Sequence, residues 1–358
     1  MRKGKKWLAA AVSAAMIVQS LAGIGPVYAA DGVSIVESFN DSTFGTYVSD
    51  NFDTNKDGKL SEEEIAAVTS IDVSKCSPAI TSLKGVEFFT NLSSLDCNEQ
   101  SVRNLDIENL ENLTYIDVSS NHMDSLTLPV KADKLTYLDI SDNKITNLTS
   151  LSDYNNLVML NANSTNLSEI DVSSMRGLKV LGVSGTTIST LDLGSNMELT
   201  TLYCESMRSL SVLDVSDHEK LTALYCSGAK NTNGIVVRSS ITKLDVSGDI
   251  ALGSLDCSKS YVAELNIDNT PELTSLDCSD SRLTFVDVSQ NKNLSYLDVS
   301  SNVLDEVNVT ANTALRDLYV EDTGINRLDI TTLRNLINLD ASSNSLAELD
   351  IASNSLLE

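Results

Sequence analysis

A leucine-anchored pattern, Leu-x-x-Leu-x-(Val/Cys/Ile) or a close variant of it, starts at Leu92, Leu113, Leu135, Leu157, Leu178 and Leu199. It starts again at Leu221, Leu252, Leu273, Leu294, Leu315 and Leu336. Successive starts lie 21 or 22 residues apart, except for one step of 31. A short unit with such a fixed period cannot bury its apolar side alone, so the units must stack and share one continuous core. A chain of 358 residues, which would otherwise suggest two or three domains, can therefore be spent on a single elongated body. Each unit also has a second half of similar form, as in Leu276-Asp277-Cys278 followed by Val286-Asp287-Val288. Apolar residues flanking an outward acid give the period of two of a half-buried strand, which predicts short strands on both faces of each coil and few helices. At about 4.8 Å per strand, the twelve coils would make a body on the order of 60 Å long.

These units resemble the 21-residue nested class of bacterial leucine-rich repeats over about residues 70–358. The resemblance implies a β-rich solenoid in which an Asn bonds the turn after the first strand. That slot holds Asn121, Asn143, Asn302 and Asn344; elsewhere it holds Gln100, Thr165, Thr186, Met207, Ala229, Ser260, Ser281 and Thr323. Met207 and Ala229 cannot make the bond, so the ladder is expected to break in the middle of the stack. The step of 31 residues leaves an insert at 231–240, expected to project as a loop.

Five of the cysteines, Cys97, Cys204, Cys226, Cys257 and Cys278, fall in the inward slot that Val or Ile fills elsewhere, and so read as core residues; Cys76 lies in the region before the repeats and is expected to be buried as well. The two histidines, His122 and His218, are four coils apart, and no nucleophile, phosphate-loop or metal-hydrolase motif is visible. No enzymatic activity is expected.

The first 30 residues read as a signal peptide, with Arg2, Lys3, Lys5 and Lys6 ahead of an apolar stretch and small residues at Val27 and Ala29. Cleavage there leaves 21 Lys plus Arg against 50 Asp plus Glu, a formal charge of −29, which disfavours nucleic acid and anionic membranes. A secreted monomer, free or associated with the cell surface, with no membrane insertion after cleavage is expected. Leu357 falls one period after Leu336 with no cap sequence after it, so the array reads as one that can continue beyond residue 358.

Residues 31–90 precede the first full repeat and must cover the end of the core exposed there, which makes them an N-terminal cap to the repeats at 91–358. Within them Asp53-Thr54-Asn55-Lys56-Asp57-Gly58-Lys59-Leu60-Ser61-Glu62-Glu63-Glu64 matches D-x-[DN]-x-[DN]-G-x5-E, the EF-hand calcium loop. Calcium takes six to eight oxygen ligands in loose geometry. Asp53, Asn55, Asp57, the Lys59 carbonyl, Ser61 and Glu64 would supply them, with Gly58 at the sharp turn. Phe44, Tyr47, Val48 and Phe52 line one face of an entering helix, and Ser61 with Glu64 forms a capping box for an exiting one. The segment is similar to the EF-hand-like caps of secreted bacterial leucine-rich-repeat proteins, which implies bound calcium and a protein or surface-glycan partner.

One outward column of the first strand runs Asp96, Asp117, Asp139, then Asn161, Gly182, Tyr203 and Tyr225, then Asp256, Asp277 and Asp298. Stacked carboxylates repel, and hydrogen bonds to the following backbone are the expected compensation. Where the acids lapse, Val158, Met159, Lys179, Val180, Tyr203 and Tyr225 would face outward, the material of a partner-binding patch. The overall architecture resembles that of internalin-like bacterial proteins, which implies an extracellular interaction or adhesion scaffold. The rival readings are a passive stalk, or a dockerin-like component that presents an enzyme or anchor domain; a dockerin would carry two such loops where one is found.

Overall fold

The computed structural model describes residues 32–148, 151–231 and 233–357; the expected signal peptide, residues 1–30, lies outside them. Among the described residues thirteen short parallel strands form one sheet, running in chain order from Ser70–Asp72 to Asn338–Asp340. Each coil contributes one strand and passes it to its neighbour in register: Leu181 lies opposite Leu160 on one side and Leu202 on the other. Those inward leucines have no exposed surface. The alternation seen in the sequence is thus a β-solenoid with a leucine spine, as expected.

The sheet begins one coil earlier than the leucine pattern. Ser70–Asp72 pairs with Ser94–Asp96, and Ile71 fills the inward slot that leucine fills later. Val68, Ile71 and Val73 are all buried. They are β-branched substitutes that a search for leucine passes over, although they fit a half-buried strand equally well.

The second face is less regular than expected. Among the described residues, strands pair there only at Asn104–Asp106 with Ser125–Thr127, and across Val212–Asp214, Lys243–Asp245 and Glu264–Asn266. Elsewhere this half of the coil closes through side chains: Asp171, Asp287 and Asp329 each accept a hydrogen bond from the backbone N–H two residues on. Such carboxylate-closed turns compete with strand pairing for the same backbone. Helices are few, as expected.

After most main-sheet strands the chain turns through a residue with positive φ, among them Glu99, Ser120, Asp142, Ser164 and Gly185. This turn aims backbone groups into the coil where no strand can meet them. The next residue meets them instead. Asn143 donates from Nδ2 to the carbonyls of Val118, Ile140 and Ser141 at 2.9, 3.1 and 3.1 Å, while its Oδ1 accepts from the Met123 N–H at 2.9 Å. Asn121 and Asn302 make the equivalent bonds, and Gln100 reaches Ile80 N and Ser74 O. Thr165, Thr186 and Thr323 each donate to the carbonyl three residues back. Met207 is fully buried and breaks the ladder, as its side chain requires.

Ala229, expected in the same slot, is not there. It pairs with Val237 in an antiparallel hairpin, Ala229–Lys230 with Val236–Val237, and the slot passes to Ser239, whose backbone bridges to Ser260 while its buried hydroxyl has no partner. The ten-residue insertion therefore starts two residues earlier than the spacing suggests and folds as a hairpin rather than an open loop. Counting back from the ladder slot fixes its position because that slot is set by the turn, not by the leucines.

Replacing Asn143 with alanine strands the buried Met123 N–H and the Ile140 carbonyl, while the Val118 and Ser141 carbonyls keep Asn121 Nδ2 and the Ser120 N–H as donors. Each unsatisfied buried group costs about 1–3 kcal/mol, so Asn143→Ala should lower the denaturant midpoint of unfolding by the equivalent of about 3 kcal/mol. A shift within experimental error would show that the ladder contributes nothing to stacking.

Candidate functional site

The acidic loop lies in a small helical cap. Strand β1 (Val33–Ser34) leads into a one-turn helix α1 (Ile35–Ser38), then α2 (Ser42–Phe52), β2 (Lys59–Leu60) and α3 (Glu62–Ala67). Asp41 caps α2 by accepting from the N–H groups of Thr43 and Phe44, and its second oxygen accepts from Thr81 N and Oγ1. One carboxylate thus starts the helix and ties it to the first coil. Phe44 and Val48 are fully buried, while Tyr47 and Phe52 pack against the core at its edge. Phe39 meets Phe44, Phe88 and Phe89 at ring distances of 5.5, 6.1 and 6.0 Å, so aromatic packing joins the cap to the solenoid. Cys76, expected to be buried, is only half-buried at this junction.

The loop between the helices is closed by its own carboxylates. Asp53 accepts from the N–H groups of Asp57 and Gly58 at 3.2 and 2.9 Å, Asn55 Oδ1 from Asp57 N at 2.9 Å, and Asp57 from Lys59 N at 2.9 Å. Gly58 turns the chain at φ 80°, a conformation that glycine adopts without strain. Leu60 is fully buried and pairs with Val33, which pins the loop to the start of the cap. Glu64 forms the expected capping box with Ser61 and also accepts from Thr54 N and Oγ1 at 2.7 and 2.6 Å. The Thr54 hydroxyl, and next the Ser61 N–H, hold its carboxyl far down, at about 2.

The structure therefore brings Asp53, Asn55 and Asp57 around one tight turn and ties Glu64 across its first residues, with Lys59 in β2 and Ser61 at the α3 cap. All the offered ligands are hard oxygens, the donor class that calcium takes. Among the described residues, however, no three His, Cys, Asp or Glu side chains converge closely enough to hold a metal. The loop oxygens are bonded to loop amides instead.

On the main sheet face the aspartate column behaves as its repulsion demands. Asp117, Asp139, Asp256 and Asp277 each accept from the N–H and hydroxyl of the serine two residues on. Crowding still shows: burial, and then the charges of Asp117 and Asp72, push Asp96 up to about 6. Tyr115 and Tyr137 stack beside these acids at 4.4 Å.

The six residues expected to face a partner do lie where the acids lapse. Met159 and Val180 are paired neighbours and half-buried; Val158 is 38% exposed and Lys179 exposed. Tyr203 and Tyr225 are adjacent in register and stack at 5.1 Å. Between the two groups sits Gly182, where a Cβ would come within 2.8 Å of Asn161 Oδ1 and 2.9 Å of the Asn163 amide. The result is a strip free of outward carboxylates, with an amide floor at its centre and the exposed Lys179 beside it.

Among solved structures, the functional domain of InlJ from Listeria monocytogenes, which includes a cysteine ladder, matches with a TM-score of 0.71 at 31% identity, over 91% of this chain and 74% of that one. The chain belongs to the internalin-like leucine-rich-repeat proteins. The Listeria internalin InlF also matches at TM-score 0.71, with 19% identity over 91% and 96% of the two chains, and a Leptospira interrogans leucine-rich-repeat protein at 0.54 with 18% identity over 75% and 76%; these two bear on fold alone. No family model and no curated protein matches the sequence. This internalin-like chain has its own column of thiols, Cys204, Cys226, Cys257 and Cys278 on successive coils, all unpaired and fully buried. Burial pushes the thiols of Cys257 and Cys278 well above their ordinary range, so they serve as core side chains, not nucleophiles. Among the described residues no helix is long and apolar enough to cross a membrane.

Because Glu64 is held down at about 2 from its ordinary 4.5, its ionised form favours the folded cap. The stability it contributes is complete above pH 4.5 and lost as pH falls through about 2. Melts of the wild type and Glu64→Gln across that window should converge toward low pH; parallel curves would contradict the assignment.

Proposed function

We propose that the chain is an extracellular, non-catalytic binding scaffold that engages a protein partner through the sheet face of the coils from Met159 to Tyr225. The observation that carries this reading is the interruption of the aspartate column. Two acidic stretches, each neutralised locally by serine hydroxyls, flank a strip of valine, methionine and stacked tyrosines on a flat sheet. Aromatic and methionine side chains with a polar surround form the energetic centres of protein interfaces, whereas uniformly acidic faces mainly keep a protein soluble. Internalin-like proteins act in protein interaction and adhesion, and the signal-like leader is consistent with export.

The second element of the proposal is a structural calcium ion in the cap, held by Asp53, Asn55, Asp57, the Lys59 carbonyl, Ser61 and Glu64. The motif is complete, and Gly58, buried Leu60 and the capping box are in place around it. Bound calcium would offset the three negative charges that the loop now balances with amides, and so strengthen the seal on the end of the core.

Two measurements test these parts separately. Binding of the labelled chain to intact cells should fall about tenfold or more for Met159→Glu combined with Tyr203→Ala, with an unchanged melt; equal binding would remove this strip from the interface. Calcium should raise the melting temperature relative to chelator, and Asp53→Asn with Glu64→Gln should abolish that rise, because an ion bound only by the folded state must stabilise it. A wild-type melt indifferent to calcium would sink the metal assignment.

A further inference from the structure

A second ladder runs along the opposite turn, three residues before the first leucine of each unit. Asn196 donates from Nδ2 to the carbonyls of Val172 and Met175, Asn312 to those of Val288 and Asn291, and Asn354 to those of Ile330 and Leu333. In every case the amide nitrogen reaches back one coil to two buried carbonyls. Where asparagine fills the slot it serves as a hydrogen-bond donor, whereas Leu110, Met175 and Leu333 fill it with apolar side chains.

In two consecutive coils, before and after the hairpin insert, this slot holds His218 and Asp249. The His218 ring reaches one carbonyl of the preceding coil and one of its own: Nε2 lies 3.2 Å from Leu193 O and Nδ1 2.9 Å from Val215 O. A neutral imidazole has one N–H and so donates to one of these carbonyls at a time. Asp249 is fully buried; its Oδ1 accepts from the His218 N–H at 2.8 Å and its Oδ2 has no partner. The amide oxygens of Asn196, Asn291, Asn312 and Asn354 in this slot are likewise without a partner, so what sets Asp249 apart is that, ionised, it would place a buried charge there and offer no donor. A protonated carboxyl, by contrast, carries an O–H on the atom that is otherwise orphaned, the kind of donor that the asparagines supply as N–H.

We infer that Asp249 is kept in the folded chain as a neutral carboxylic acid serving as a donor in this ladder, and that loss of its proton loosens the joint between the coils on either side of the insert. Its surroundings favour the neutral form. Asp214, Asp217 and Asp245 are the charged groups that act on it, with Lys243 beside Asp245; Asp217 Oδ1 lies 2.6 Å from the Cβ position of Gly248. From the following coil the slot residue is uncharged Thr270, and Gly248 bonds the backbone carbonyl of Asp268. Burial first, and then the carboxylates, push Asp249 up to about 8.

The sign follows from linkage. Between the ordinary carboxylate range and about 8 the folded chain retains a proton that the unfolded chain has lost, so the stability from this group is full below about pH 4, falls as pH rises, and is gone above about 8. The joint that loosens is the one from which the Ala229–Lys230 and Val236–Val237 hairpin springs.

The test compares the full chain with Asp249→Asn, which restores the asparagine of sister coils. Between pH 6 and 9 the wild type should lose several degrees of melting temperature relative to the variant, and amide exchange at His218 and its neighbours should accelerate in the wild type alone. Parallel melting curves with identical exchange would overturn the inference. Should Asp249→Asn fail to fold, Asp249→Thr, which copies the Thr270 of the next coil, takes its place in the same comparison. The infrared band of a protonated carboxyl at pH 7, removed by either substitution, is a direct readout, and its absence from the wild type would equally refute the proposal.

Discussion

Each coil of this solenoid has to turn twice around a dry core, and at each turn some backbone N–H and C=O groups point inward with no strand opposite them. Leaving them unpaired would cost more per coil than the leucine spine could readily offset, because an unsatisfied buried amide costs about as much as burying an aliphatic side chain gains. At many of these turns the structure answers with one buried polar side chain, reaching back to the preceding coil. Asn121, Asn143 and Asn302 do this on one edge, and Asn196, Asn312 and Asn354 on the other. The position of everything else follows from these two ladders: the register of the sheet, the placement of the outward columns, and the point at which the insert can leave the stack.

How legible each feature is in the sequence depends on which force sets it. The leucine period is dictated by the geometry of a repeating core, and it announces the solenoid directly. The Ser70–Asp72 coil escapes a leucine search because Val68, Ile71 and Val73 satisfy the same burial with β-branched residues. The hairpin register cannot be had from leucine spacing, since the ladder slot fixes where a coil resumes, and Ser239 rather than Ala229 fills it. The second ladder is hidden because its slot accepts Asn, His, Asp and Thr, and its first coils use Leu110 and Met175 instead. Its only signal is a polar residue recurring three places before a leucine. The face residues, by contrast, are readable from alternation alone, since the period of two leaves no choice of side.

Sheet face and cap solve different electrostatic problems with the same chemistry. Aspartates one coil apart along the face are each matched to a serine hydroxyl and a backbone N–H, which lets a strongly acidic chain keep an ordered sheet. In the cap, three carboxylates in one short loop are matched to loop amides. What distinguishes the column from Asn161 to Tyr225 is that it needs no such compensation: Asn161, Gly182 and the tyrosine pair carry no charge, so a partner can dry this column without stripping water from carboxylates.

The claim that side-chain ladders, and not strand pairing alone, hold the coils together is open to direct measurement by amide hydrogen exchange. The N–H groups of Val102, Met123 and Leu283 bond to the amide oxygens of Asn121, Asn143 and Asn302. They should exchange as slowly as strand amides such as those of Leu138 and Leu297. Exchange at the rate of exposed turn amides would mean that the ladders are not closed in solution, and that the stack is held by its leucines alone.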